Sequence, residues 1–250
     1  MRVMLTIARR EFIAYFATPL AYVFLVVFLA GALAAPFYFG NFVDQPNFLS
    51  SGTASLSTFF VYHPWLFLVF MPAIGMRLWS DERRQGTIEL LMTLPVTPWQ
   101  AVLGKFFAAW AFATLALALT FPIWLTVEYL GDPEVSVIIS GYFGSFLMAG
   151  ALLALASCVS AATNSQVVAF VISVVVGFLL MFAGLDFVID AFSSWAPDYL
   201  ISLIASFSFL THFGVMTNGL IEVTALIYFA TLITLLLLIN RQIIDLTRAS

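Results

Sequence analysis

The sequence predicts an all-α integral membrane protein with six transmembrane helices. An interfacial helix precedes the first span, and a short helical segment of mixed polarity precedes the last. Three observations carry this. Of 250 residues, 63% are apolar and only 9% charged, with a mean hydropathy of +1.07. A soluble domain is roughly half apolar and about a quarter charged, and could not hide this surplus from water. Second, no charge occurs from Phe12 to Val43, Gln45 to Met76, Phe106 to Val127, Val135 to Leu185 or Val223 to Asn240. A β-barrel would instead show short alternating segments, and a helix satisfies its own backbone groups in lipid. Third, with six spans all nine basic residues (Arg2, Arg9, Arg10, Arg77, Arg83, Arg84, Lys105, Arg241 and Arg248) fall on one side. The opposite loops carry only acidic residues: Asp44, Asp132, Glu134, Asp190 and Asp198. The positive-inside rule then places both termini in the cytoplasm, and a seven-span arrangement would split the basic residues.

The elements follow in order. Residues 2–17 form the interfacial helix, with Leu5, Phe12 and Phe16 on one stripe and Arg9 intruding beside it. The apolar run behind it is longer than the core of a cleaved signal peptide, and Glu11 precedes it. Spans are expected at about 19–40, 58–79, 98–130, 137–161, 167–189 and 221–240. Thr18-Pro19 and Thr97-Pro98-Trp99-Gln100 read as helix starts, the second with a capping box. The run from Val135 to Leu185 is too long for one span, and its single polar cluster, Ala162 to Gln166, marks a turn. Gly131-Asp132-Pro133 ends the third span. Pro36, Pro64, Pro72 and Pro122 read as kinks within spans.

Enzymatic motifs are missing. The one Gly-Lys pair, Gly104-Lys105, lacks the residues of a nucleotide-binding loop, and no hydrolase or metal-spaced Cys/His pattern occurs. His63 and His212 lie far apart and read as packing or hydrogen-bonding residues, and the lone Cys158 as a buried filler. No basic patch calls for nucleic acid.

The dense polar segment runs from Arg77 to Pro95, between spans two and three. Ser80 with Asp81 and Glu82 reads as a helix start, Gly86 as a weak point, and Thr87 as the cap of a second short helix. Leu90, Leu91 and Leu94 would form its apolar face, and Pro95 would end it. An apolar ridge among charges suits a groove on another protein.

This segment resembles the type-2 ATP-binding-cassette exporter permeases. Their motif has the form Glu-x-x-x-Gly-Thr-x-Glu-x-Leu followed by Leu-Pro, and here Glu82-Arg83-Arg84-Gln85-Gly86-Thr87-Ile88-Glu89-Leu90-Leu91 precedes Leu94-Pro95. The pattern His212-Phe213 through Gly219-Leu220-Ile221 is similar to the gliding-motility-associated subgroup, and permeases for maturation of a periplasmic copper enzyme look much the same. The resemblance implies one permease domain over residues 1–250, with a cytoplasmic coupling helix at 80–95 and a re-entrant segment at 190–220. It also implies a bacterial inner-membrane location, a second permease subunit (identical or not), and room for an auxiliary protein with a periplasmic domain. Separate ATPase subunits would bind ATP and magnesium, leaving this chain with no cofactor. Glu82, Arg83, Arg84, Gly86, Thr87, Glu89, Leu90, Leu91 and Leu94 would meet the ATPase.

Glu128, Asp186, Asp190 and Glu222, near the outer membrane edge, are candidates for the substrate path or outer gate. An alternative is mechanical action on periplasmic partners without solute transport. An ion-coupled carrier would need polar residues near the membrane midplane, and the spans offer few.

Overall fold

The computed structural model describes residues 2–38, 56–88, 96–131, 133–185, 188–190 and 197–249. These are helical, with no strand among them. In chain order the helices are α1 (Arg2–Phe16), α2 (Pro19–Tyr38), α3 (Ser57–Val61), α4 (His63–Gly75), α5 (Arg77–Gln85), α6 (Pro98–Ala118) and α7 (Pro122–Leu130). They continue as α8 (Val135–Ala162), α9 (Gln166–Phe182), α10 (Asp198–Ser206), α11 (Phe209–Thr217) and α12 (Val223–Ala249).

Four stretches are long and apolar enough to cross a membrane: α2, α6 with α7, α8, and Val223–Leu246 of α12. The apolar helix α9 is shorter, at 17 residues. The expected second span is divided into α3, α4 and α5, with joints at Tyr62 and Met76. Pro64 lies in the first turn of α4 and Pro122 in that of α7, where a missing N–H leaves no acceptor unpaired. Of these four prolines, Pro36 and Pro72 lie inside helices. The last helix runs past Arg241 to Ala249, further than its apolar run suggested.

Helix α8 is the centre of the bundle. It packs against α4, α5, α6, α9, α11 and α12, and most of it is buried, whereas only about a third of α2 and of α12 is. Its sequence explains this. Gly, Ala and Ser recur along it, so neighbouring backbones approach closely. At Gly75 on α4 an added Cβ would stand 2.4 Å from Cβ of Ala156. Trp110 of α6 stacks on Phe146 at 4.3 Å, and its indole N–H donates to the Phe146 carbonyl at 3.0 Å. The rings of Phe59, Phe60 and Phe67 enclose His63. His63 Nδ1 lies 2.7 Å from Ser145 Oγ, so this histidine has the hydrogen-bonding role expected of it.

Several local expectations hold. The Thr97 hydroxyl accepts from the Gln100 N–H and the Gln100 side chain accepts from the Thr97 N–H, completing a capping box. Ser165 caps α9 after the turn at 163–165. Two nine-residue helices, α10 and α11, occupy the segment before α12.

Candidate functional site

The charged end of the bundle is organised by α5. The sequence suggests that this helix starts at Ser80, but it runs from Arg77 to Gln85. Ser80 is fully buried, and its hydroxyl donates to the Met76 carbonyl instead of capping. Gly86 ends the helix with φ +68°, a left-handed conformation that costs glycine little. Thr87 and Ile88 are helical again. The Thr87 hydroxyl donates back to the Glu82 carbonyl at 3.4 Å, so it ties the two pieces together rather than capping the second.

Four neighbours hold α5. The first is Lys105 on α6, the only lysine in the chain and just 3% exposed. Its Nζ lies 2.8 Å from Glu82 Oε1 and 3.4 Å from Glu11 Oε1 on α1, and 5.3 Å from the centre of the buried Trp79 ring. An ammonium excluded from water is tolerable only when paired, and two carboxylates and an aromatic face supply the pairing. Burial disfavours the Glu11 carboxylate, but Lys105 and Arg10 (2.7 Å away) more than offset that and hold its pKa below the ordinary value. Glu11, Tyr15, Thr18, Arg77, Asp81, Glu82 and Lys105 line a cleft of about 190 Å³. Burial, and next the Glu11 charge, push the Tyr15 hydroxyl pKa up, so it enters the cleft neutral.

The second neighbour is α9, whose Gln166 amide donates to Asp81, and Asp81 also meets Arg77 one turn back at 3.5 Å. The third is α8. Its Ser160 hydroxyl accepts from the N–H groups of Trp79 and Ser80, at 3.1 and 3.0 Å, and donates to the Met76 carbonyl at 2.7 Å. The fourth is α1, whose Glu11 reaches α5 through the shared Lys105. Close by, Arg241 of α12 lies 5.2 Å over the Trp99 ring and 3.2 Å from Asp245.

The nine residues expected to meet a partner therefore separate. Glu82 faces inward onto Lys105. Arg83 is half-buried, and burial lowers its pKa. Arg84 and Gly86 are exposed, and Thr87 is half-buried. Glu89, Leu90, Leu91 and Leu94 lie outside the described residues, as does Asp186. Glu128, Asp190 and Glu222 are exposed.

Lys105, Glu11, Asp81, Gln166 and Ser160 were not among the residues expected to form the site. Lys105 carried a signal, a lone lysine near the start of an apolar helix. Ser160 carried none.

The family model described as ABC-2 family transporter protein matches residues 17–184, more than half of the chain. No curated protein matches it.

Proposed function

This chain belongs to the ABC-2 family of transporter membrane proteins, and we propose that it is the permease subunit of an ATP-driven exporter whose ATPase is a separate chain. The observation that carries the reading is the clamp on α5. The helix that opens the Glu82–Leu94 motif is tied to α6, α8 and α9 by ionic and hydrogen-bonded contacts, and through Lys105 to Glu11 of α1, while Arg84, Gln85 and Gly86 face outward. A helix so held can pass a push at its exposed end into four others.

The proposed topology has six spans: α2, α3 with α4, α6 with α7, α8, α9 with the residues after it, and α12. Helix α1 lies along the cytoplasmic surface, both termini are cytoplasmic, and the membrane is the bacterial inner membrane. The stretch Ser57–Gly75, which is α3 and α4 with Tyr62 between them, would reach roughly 28 Å as helix, close to the hydrocarbon thickness. Two permease copies, identical or not, would enclose the path, with α10 and α11 as the re-entrant pair. Residues 80–95 would form the coupling segment, with ATP and magnesium held by the partner. Glu128, Asp186, Asp190 and Glu222 would stand at the outer gate.

One residue has a different role in this reading. Glu82 is assigned to the clamp, and the contact with the ATPase to Arg84, Thr87 and the residues from Glu89 to Leu94. The gliding-type subgroup is also proposed, on its pattern before the last span. There His212 stacks on Tyr228 at 4.2 Å, Phe213 is buried, and Gly219 turns the chain with φ +87°. These contacts fix the corner between α11 and α12, as a mechanical transmitter requires, and support action on periplasmic partners as the second reading.

The experiment is purification in mild detergent. The expected companion is a protein with a Gly-x-x-x-x-Gly-Lys-Ser/Thr phosphate loop, in equal amount. A chain that purifies without any such protein, from membranes where its neighbouring genes are expressed, overturns the reading.

A further inference from the structure

At the joint between α4 and α5 the helical backbone ladder is not closed by the helix alone. The N–H groups of Trp79 and Ser80 both reach the Ser160 hydroxyl, which returns its proton to the Met76 carbonyl. One hydroxyl thus accepts twice and donates once, the full capacity of a serine. Ser160 is fully buried, so water cannot take its place. One turn earlier on α8, Ser157 accepts from the Asn240 amide of α12 at 2.7 Å, with both residues fully buried. Next to Ser157, Ala156 is packed against Gly75 of α4. A single turn of α8 therefore touches both the joint above α5 and α12.

We propose that this turn is the point at which displacement of α5 is passed to α12, with Ser160 and Ser157 as positioning residues. The inference rests on the coupling reading above and extends it by naming the route. A helix joint stabilised by a side chain from a neighbour moves with that neighbour, because breaking the contact leaves the two N–H groups of Trp79 and Ser80 unpaired and the Met76 carbonyl with the Ser80 hydroxyl alone. The side-chain oxygen of Asn240 is buried with no hydrogen-bond partner among the described residues, so the α8–α12 contact is incompletely satisfied and has room to rearrange.

The test compares Ser160→Thr with Ser160→Val in the complex with its ATPase. The two side chains have nearly the same shape, so both bear the same added methyl and only threonine keeps the hydroxyl. Spin labels at Tyr129 and Val223, both exposed, report the far ends of α7 and α12, and a third at Gln85 reports α5. ATP is expected to change the 129–223 distance in wild type and in Ser160→Thr. In Ser160→Val the population that shifts should fall on the order of tenfold, with the ATPase still bound. Ser157→Ala, which leaves the joint intact, should abolish the shift at 223 while label 85 still moves; it decides the matter if neither Ser160 variant folds. Equal shifts in all variants, or no ATP-dependent shift at 223 in wild type, overturn the route. Absence of a bound ATPase in wild type would instead overturn the coupling reading itself.

Discussion

Replacing Lys105 with methionine is expected to destabilise the detergent-solubilised protein by about 3 kcal/mol, seen as a fall of roughly 5–10 °C in thermal midpoint. The side chains are similar in length, so little packing is lost. What remains is two carboxylates, Glu11 and Glu82, facing a site without its cation. Removing one partner of a buried pair costs about 3–5 kcal/mol. The lower end applies because each carboxylate is about one-fifth exposed and can recruit some water. The triple variant Glu11→Gln, Glu82→Gln, Lys105→Met removes the stranded charges and should recover at least half of the loss. A methionine variant as stable as wild type would show that the cluster does not hold α5. Reversing Glu82 to lysine puts two cations together at the same place, and disturbs the clamp before it disturbs any docking surface.

The second large effect is expected at Gly75. Even alanine there would bring a Cβ within 2.4 Å of Ala156 Cβ, and within 3.4 Å of the Ala156 backbone. Such a contact cannot be relieved by a rotamer change, since neither methyl can turn away. Helices α4 and α8 must move apart, at a cost of about 1–3 kcal/mol. Because Ser160 lies one turn beyond Ala156 on α8, the same separation pulls its hydroxyl from the Met76 joint. The double variant Gly75→Ala, Ala156→Gly moves the methyl to the opposite helix and restores the total volume. It should regain most of the lost stability in the same melting experiment. If the double variant melts no higher than Gly75→Ala alone, the close helix crossing is not the cause.

How much of this was legible depended on how local its cause was. The capping box at Thr97 and Gln100, the turn before α9 and the end of α5 at Gly86 are set by residues a few positions apart, and the sequence shows them directly. The four membrane-length helices follow from unbroken apolar runs. The clamp is different. Trp79 and Ser160 are 81 positions apart, and nothing about a serine in an Ala-rich helix marks it as the acceptor for another helix's backbone. The same distance hides the orientation of Glu82. Read along the motif, it belongs to a docking ridge, whereas its carboxylate is drawn inward by Lys105 on a helix that follows later in the chain. The division of the second span at Met76 was illegible for a related reason. The residues before it are apolar and those after it are helix-compatible, and the joint is made by the Ser160 hydroxyl from outside.

The central claim is that the exposed end of α5 meets a separate ATPase. Site-directed cross-linking tests it most directly, using single cysteines at Arg84 and Gln85 in a chain whose own buried Cys158 is replaced by alanine. Glu128, exposed at the far end of α7, is the control position. A short thiol-to-amine cross-linker applied to the copurified complex should join the cysteines at 84 and 85 to the ATPase and leave the one at 128 unlinked. Linkage from 128 with none from 84 or 85 would contradict the account.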